Sequence, residues 1–395
     1  MRAFVSVLLM TALGLPGCDD ADDGKAGADA SVTPDTGGTA PILRVGTYNA
    51  GLAHGFVDYA DERVAAVGPA VAALDLDVLC MQEVWEPADR QAIEAAVAAN
   101  LPNTFNIPAD PGECAGAACQ EQETADLVAC VEPACSEVPP AMLVGCATDN
   151  CGDQVNALSA PCITCISMNI GKSLDEMLEV CGPDAGARGC YAYEGSFGTD
   201  ILSRYPLTEK QSLVFDSSLN RRAVLYAKAT GTAFGDVHVF CTHLTANLSA
   251  VPYPGMFGSW GAEQAAQITQ MRAFIDEKAG ADGKVVVLGD FNCGPAVPNQ
   301  AEAELVENYE ALIPGFNPTY PTQADTECTF CGDNPLVSGV DREHSVLLDH
   351  ILLRGFGDAG VTASRILDQA IMLESNGMTV DAALSDHYGL QAVIQ

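Results

Sequence analysis

Short apolar runs punctuate this chain, and they stop repeatedly on polar residues. Ile42–Tyr48 ends at Asn49, Asp77–Met81 at Gln82-Glu83, Val237–Cys241 at Thr242-His243, and Lys284–Leu288 at Gly289-Asp290-Phe291-Asn292. Thr199–Ser203 and Ala223–Lys228 are runs of the same kind. Leu347–Leu353 carries Asp349 in its middle, and Ser385-Asp386-His387 precedes a last run, Leu390–Ile394. Enrichment in Val, Ile and Leu over roughly four to seven residues predicts strands. Between them, Asp61–Leu74 has Arg63, Val64, Val67, Val71 and Leu74 at helical spacing, and Pro87–Asn100 and Ala262–Lys278 are rich in good helix formers. Strands mixed with helices in this order predict a layered sandwich of sheets with helices outside. The polar ends of several strands then converge on one edge, where sites tend to be built.

Composition narrows the function. The chain has 395 residues, 48% of them hydrophobic, enough to bury a large core. Its formal net charge is −35, from 53 Asp plus Glu against 18 Lys plus Arg. Such a charge repels polyanions at long range and argues against nucleic-acid binding through a broad basic surface. It does not exclude a nuclease, because a bound divalent cation supplies positive charge locally.

The first eighteen residues, MRAFVSVLLMTALGLPGC, place one Arg before an apolar run that is too short to span a bilayer and that ends on small residues. This is the pattern of a secretory signal. Its ending, Leu15-Pro16-Gly17-Cys18, resembles a bacterial lipoprotein cleavage box, which implies that Cys18 becomes the lipid-modified first residue. Residues 19–40 are rich in Asp, Gly, Ala and Thr and read as a flexible tether. The expectation is a protein secreted across the inner membrane and lipid-anchored to a bacterial membrane or the cell surface.

Sixteen Cys fit an oxidising compartment. Ten lie between Cys114 and Cys190, as Cys114/Cys119, Cys130/Cys135, Cys146/Cys151, Cys162/Cys165 and then Cys181 and Cys190. The first member of each pair recurs every sixteen residues, and no His accompanies them. Disulfides are favoured over a Cys-only zinc cluster. Residues 107–195 read as a disulfide-stapled insertion whose connectivity spacing does not give. With Cys18 set aside, fifteen Cys remain, so at least one stays unpaired. Cys80 and Cys241 sit in apolar runs and are expected to be buried, and one disulfide is expected among Cys293, Cys328 and Cys331.

Each polar strand ending is a weak signal alone. Together, seven ordered runs resemble the endonuclease/exonuclease/phosphatase superfamily, which includes DNase I and the neutral sphingomyelinases. They are Thr47-Tyr48-Asn49, Cys80-Met81-Gln82-Glu83-Val84-Trp85, Ile201-Leu202-Ser203-Arg204-Tyr205-Pro206, Thr242-His243-Leu244, Gly289-Asp290-Phe291-Asn292, Leu348-Asp349-His350-Ile351 and Ser385-Asp386-His387. The resemblance implies a single domain over 41–395. Its fold would be an α/β four-layer αββα sandwich of two packed mixed sheets, interrupted by the Cys-rich insertion.

The chemistry accounts for the residue types. Hydrolysing a phosphodiester means neutralising phosphoryl charge, activating water and protonating the leaving oxygen. Mg²⁺, with Mn²⁺ or Ca²⁺ as alternatives, prefers carboxylate and amide oxygens. The resemblance implies Glu83, Asn49 and Asp386 as the metal environment and His387 as general base oriented by Asp349. It implies His243 at the phosphoryl or leaving group, and Asp290 and Asn292 orienting water and phosphate. Three positions depart from the pattern or add to it. Asp200 stands where relatives carry a small apolar residue; it needs a partner if buried, and reads as lying near the site or simply solvated. His350 adds a titratable group, more readily read as structural. Arg221-Arg222 could be a surface pair or could bring Arg222 to phosphate.

Glu83-Val84-Trp85 and the tract from Asn317-Pro318-Thr319-Tyr320 through Cys328-Thr329 to Asn334-Pro335-Leu336 look more like sphingomyelinase relatives than repair nucleases. The reading therefore leans to a sphingomyelinase C-like lipid phosphodiesterase. Its alternatives are a DNase I-like extracellular endonuclease and, in another class, a non-catalytic surface binding protein. The partners expected are a phospholipid head group or nucleic acid and, through the anchor, a membrane; the chain is expected to be a monomer. The apolar segment Val251–Trp260 reads as a packed loop, with a membrane-touching loop as the alternative.

Overall fold

The apolar runs fold as strands, and their alternate residues face two different layers. The computed structural model describes residues 41–395 apart from 115, 250, 251, 321–325, 338 and 376, so the expected signal, Cys18 and the tether lie outside the described residues. The chain opens with β1 (Leu43–Leu52), α1 (Ala60–Ala72), β2 (Val78–Val84), α2 (Pro87–Val97) and β3 (Asn103–Phe105). Five helices follow in the Cys-rich region: α3 (Glu121–Cys135), α4 (Leu143–Asn150), α5 (Gly152–Asn156), α6 (Ala160–Met168) and α7 (Leu174–Cys181). Next come β4 (Asp200–Ser203), β5 (Leu207–Phe215), β6 (Arg222–Thr232), β7 (Gly235–His243), α8 (Trp260–Ala279), β8 (Val285–Asp290) and α9 (Val306–Leu312). The chain closes with β9 (Asn317–Pro318), β10 (Phe330–Cys331), β11 (Ser345–Val346), β12 (Asp349–Arg354), β13 (Val361–Ile366), β14 (Ile371–Ser375), β15 (Met378–Ala382) and β16 (Gly389–Ile394).

Two six-stranded mixed sheets result, in the orders β13-β16-β1-β2-β4-β3 and β5-β6-β7-β8-β12-β9. Between them lies a core built of Leu43, Val45, Val78, Cys80 and Ile201 from the first sheet and Leu225, Val239, Cys241, Leu288 and Ile351 from the second. The intervening residues of β2, Leu79 and Met81, face outward onto Val67, Val71, Ile93 and Val97 of α1 and α2. On the far side, Val224, Phe240, Val285 and Val287 meet Ile268, Met271 and Ile275 of α8 and Tyr309 and Leu312 of α9. Strands covered on both faces read as unbroken apolar runs, which is why no polar alternation marks them in the sequence. The αββα sandwich is the fold observed.

The cysteines pair in ways that spacing did not give. Among the described residues there are seven disulfides: Cys80–Cys241, Cys114–Cys190, Cys119–Cys162, Cys130–Cys151, Cys135–Cys146, Cys165–Cys181 and Cys328–Cys331. Cys293 is a buried free thiol. None of the neighbouring Cys pairs of the repeat bonds within itself. Two staples instead join α3 to the α4 region, around an apolar cluster of Leu127, Val131, Leu143, Ala147, Ile163 and Met177. The insertion is thus helical, with disulfides supplementing a small core. Cys80 and Cys241 are buried as expected and also bonded to each other, which ties β2 of one sheet to β7 of the other.

The outlying expectations resolve locally. Asp200 is buried and pairs with Arg90 at 3.1 Å, so it belongs to the fold rather than to a solvated turn. In the segment before α8, Tyr253 donates to Glu263 at 2.9 Å and Trp260 is buried, whereas Met256 is exposed. No helix among the described residues is long and apolar enough to cross a membrane.

His54, in the β1–α1 loop, lies 2.8 Å from Asp61 of α1 and 2.6 Å from Asp89 of α2. Burial opposes its charging, but hydrogen bonds to and charges on Asp89 and Asp61 outweigh burial and raise its pKa above the ordinary 6.5. A raised folded-state pKa means stability that is full below the unfolded value and is lost as pH rises through the folded one. His54→Gln is therefore expected to be less stable than wild type below pH 6.5, with the difference shrinking as pH rises above it. Denaturant unfolding of both proteins at several pH values checks this; a constant difference would mean that the imidazolium contributes nothing.

Candidate active site

The strand directions bring the polar endings together. β1 and β2 run parallel, as do β7 and β8, so the ends carrying Asn49, Glu83, His243 and Asp290 share one edge. β12 runs antiparallel to β8 and β16 antiparallel to β1, so their starts reach the same edge. Asp349 opens β12 directly opposite Asp290, and Asp386-His387 lead into β16.

His387 and Asp349 form a buried pair, Nδ1 to Oδ2 at 2.9 Å. The other ring nitrogen, Nε2, lies 3.8 Å from Asp290 Oδ2. Burial works against the imidazolium, but the charges of Asp349 and Asp290, the Asp349 hydrogen bond and the charge of Asp386 raise the His387 pKa well above the ordinary value. His243 Nε2 is 3.5 Å from the same Asp290 oxygen and 3.9 Å from Glu83 Oε1. Burial, then the charges of Arg222 and His387, lower its pKa well below the usual, so it is neutral. Its Nδ1 meets no hydrogen-bond partner among the described residues.

The carboxylates are held by amides. Asn49 Nδ2 donates to Asp290 Oδ2 at 2.9 Å and to Glu83 Oε1 at 3.2 Å, while its oxygen accepts from the Gly51 N–H at 3.0 Å. Thus the Asn49 atom facing the carboxylates is its nitrogen, not the oxygen a cation would need. The Asn292 N–H donates to Asp290 Oδ1 at 2.8 Å, and its side-chain nitrogen is engaged by the Leu244 carbonyl at 3.0 Å. Glu83 and Asn292 both have left-handed backbones, φ 55° and 48°. Such strain clusters where surrounding structure imposes it, often at functional sites. Burial, then the charge of Asp386, raises the Glu83 pKa, so the two carboxylates repel across the site. Asp290, Asp349 and His387 also offer three ligand atoms within 4.8 Å of one another. There the Asp349–His387 hydrogen bond already engages one atom of each, and a charged imidazole has no lone pair to give a metal. Glu83 and Asp386 are the freer oxygens.

The Arg221-Arg222 pair divides. Arg221 turns to Asp110. Arg222 is buried, its guanidinium 5.8 Å from the Trp85 ring, with Nη1 unengaged among the described residues. His350 is structural: its Nε2 lies 2.9 Å from the Cys293 carbonyl, its ring stacks on Phe291, and burial pushes its pKa down to about 4.

Three supports were not legible in the sequence as functional. Arg63 of α1 is buried and donates to the carbonyls of Ala50, Gly51 and Leu384 at 2.5 to 3.0 Å, tying the end of β1 to the Ser385-Asp386-His387 loop. Its only signal was a charge within the apolar stripe of a helix. Thr329 Oγ1 accepts from the Leu348 and Asp349 N–H groups at 3.0 and 3.1 Å, and Asn334 donates to the Ser385 carbonyl at 2.9 Å, so the tract before β12 braces both members of the Asp–His pair. Tyr193, from the end of the Cys-rich region, stacks on Trp85 with ring centroids 4.8 Å apart.

A family model described as the Endonuclease/Exonuclease/phosphatase family matches residues 46–387. Among solved structures, the chain is similar to sphingomyelinase C from Streptomyces griseocarneus, at 18% identity over 90% of this chain and 100% of that one, with a TM-score of 0.54. It is also similar to a mutant beta toxin from Staphylococcus aureus with bound magnesium ions, at 13% identity over 89% of this chain and 98% of that one, with a TM-score of 0.53. At these identities the likeness is one of fold. No curated protein matches the sequence.

Proposed function

Because the chain belongs to the endonuclease/exonuclease/phosphatase family, we propose that it is a divalent-metal-dependent phosphodiester hydrolase acting outside the cytoplasm, on the head-group ester of a phospholipid. The observation that carries this reading is the buried Asp349–His387 pair beside Asp290, at one edge with two mutually repelling carboxylates, Glu83 and Asp386. That donor set fits a hard cation such as Mg²⁺, and Mn²⁺ or Ca²⁺ would be satisfied by the same oxygens. Glu83 and Asp386 would hold the ion, with Asn49 as the neighbour that steadies Glu83. A dication bound there supplies charge to the phosphoryl oxygens of a diester.

The chain's own residues do the rest. His387 accepts a proton from the attacking water at Nε2, while Asp349 on Nδ1 fixes the tautomer and stabilises the imidazolium. A charged His387 cannot act as base. Neutralising Asp386, one of the charges that hold its proton, lowers its pKa from that raised position. Asp290 and Asn292 orient water and phosphate. His243, neutral, donates a hydrogen bond to the phosphoryl or leaving oxygen, and the free Nη1 of Arg222 is available to a phosphoryl oxygen.

Seven disulfides support an oxidising compartment, and the leader supports export with Cys18 as the lipidation site. The net charge of −35 favours a lipid over a polyanion as substrate. The test is phosphocholine release from sphingomyelin in mixed micelles beside nicking of supercoiled plasmid, with Mg²⁺ and with EDTA. Mg²⁺-dependent phosphocholine release is the expected result. Nicking alone would transfer the reading to a nuclease. Neither activity, with Mg²⁺, Mn²⁺ or Ca²⁺ in turn, would overturn both readings and bring a different ester or a non-catalytic surface binding role to the front.

A further inference from the structure

Tyr193 brings the Cys-rich region to the catalytic edge. At its exit, Tyr193, Glu194 and Gly195 are three consecutive left-handed residues, with φ 50°, 53° and 75°. The turn is pinned from both sides. The Asp110 N–H donates to the Gly195 carbonyl at 2.9 Å, and the Ala192 N–H donates to the Leu219 carbonyl at 3.0 Å. Asp110, at the entry to the same region, is in turn gripped by Arg221, whose guanidinium also lies 3.9 Å from the Tyr191 ring centroid. A side chain on Gly195 would run into the Asp110 backbone, so this crossing admits only glycine.

This pinned turn lays the Tyr193 ring flat on Trp85, at an interplanar angle of 10°. Trp85 stands two residues beyond Glu83, with its ring 6.2 Å from that of His243. Trp85 itself is almost fully buried, at 2% exposure, because Gly198 closes on it: a Cβ at Gly198 would sit 2.6 Å from the indole. Tyr193 is only partly buried, so it keeps accessible surface where Trp85 has almost none. Burial, and next the charge of Glu83, raise its phenol pKa.

We propose that Tyr193 is a specificity-determining residue, whose ring forms the wall against which the organic group of a phosphodiester packs beside Glu83. The inference rests on the hydrolase reading above. By it, the Cys-rich region is part of the substrate site, and its pinned exit turn adds an aromatic wall on the Glu83 side, across from Phe330 beside His387. The left-handed backbones of Tyr193 and Glu194, the two non-glycine residues of the turn, are the strain that turning the ring inward imposes.

The experiment uses the full exported chain, Mg²⁺ and bis(p-nitrophenyl) phosphate, which carries an aryl group at both ester positions, so the outcome does not depend on which ester leaves. Tyr193→Ala is expected to raise KM about tenfold with kcat within about threefold, an effect of the size an aromatic contact provides. Tyr193→Phe is expected to return KM to within about twofold of wild type. Unfolding midpoints of all three proteins are measured alongside. An unchanged KM in Tyr193→Ala, or a fall in kcat with KM constant, overturns the proposal. So does a loss in Tyr193→Phe equal to that in Tyr193→Ala. If the wild type hydrolyses no diester at all, it is the hydrolase reading that fails.

Discussion

Replacing His387 by Ala is expected to lower kcat for diester hydrolysis by about a thousandfold, the middle of the range that a positioned proton acceptor contributes. The geometry makes the expectation specific. His387 is buried, its Nδ1 is held by Asp349 at 2.9 Å, and Nε2 is left facing Asp290 at 3.8 Å. Asp349 is fixed in turn by its place in β12 against β8 and by Thr329 at its N–H. The ring therefore has one free nitrogen and one orientation. The pH dependence has a definite sign. A base must be neutral, and the surrounding carboxylates hold its proton, so activity should rise with pH through the His387 pKa. Asp349→Asn removes the first of those charges and should carry the rising limb to lower pH. Steady-state kinetics over a pH series checks both variants, with unfolding midpoints beside them because Asp349 loses a buried partner in His387→Ala. A His387→Ala enzyme that kept more than a tenth of wild-type kcat would remove His387 from the reaction.

The second large effect is on stability. A Cys80→Ala/Cys241→Ala double variant is expected to lose about 3–5 kcal/mol, since the bond it removes closes a loop of 161 residues and chain entropy grows with loop length. Two features set the size. The disulfide lies between the sheets, both Cys fully buried, so its loss also removes packing from the central core. The bonded pair also joins the central strands of two layers that meet there through side chains, whereas Cys130–Cys151 and Cys135–Cys146 join α3 to the α4 region next to it. Glu83 follows Cys80 by three residues and His243 follows Cys241 by two, so this cross-link sits directly beneath the site. Denaturant unfolding of the oxidised wild type and the double variant gives the difference; a value under about 1 kcal/mol would mean that packing alone holds the sheets in register.

The apolar runs and their polar endings were sufficient for the strands that matter. β1, β2, β7, β8, β12 and β16 each form where a run occurs, because burial on both faces demands unbroken Val, Ile and Leu. The chemistry was legible for the same reason: a polar residue tolerated at the end of such a run must be satisfied by something, and seven of these in order carry a family's pattern. The helices α1, α2 and α8 form at the periodic stretches, with ends shifted by a few residues; only α8 has a side-chain cap at its start, Ser259 accepting from the Ala262 N–H. The sequence-based reading extended Leu347–Leu353 to both sides of Asp349. The strand instead begins at Asp349, because pairing with Asp290 fixes its register.

Partnership across the fold was not legible. Composition and compartment determined that the cysteines pair. Only the packing of α3 to α7, and the apposition of β2 and β7, decided which pairs with which, because a disulfide depends on distance in space and not on spacing in the chain. Local sequence left Arg222 a surface residue as readily as a phosphate contact, and favoured a structural His350 without saying what would enclose it. Tertiary burial turned Arg222 toward Trp85 and closed His350 between Phe291 and Tyr309. Tyr193 carried no signature, and Arg63 only that of a charge in an apolar stripe, since each acts on groups more than a hundred residues away or belonging to a different element. The sequence by itself thus determined the strands, their acid and base residues and their order, all properties of contiguous residues. The tertiary structure decided which charges face one another and what surrounds them, because fields and contacts follow distance through space.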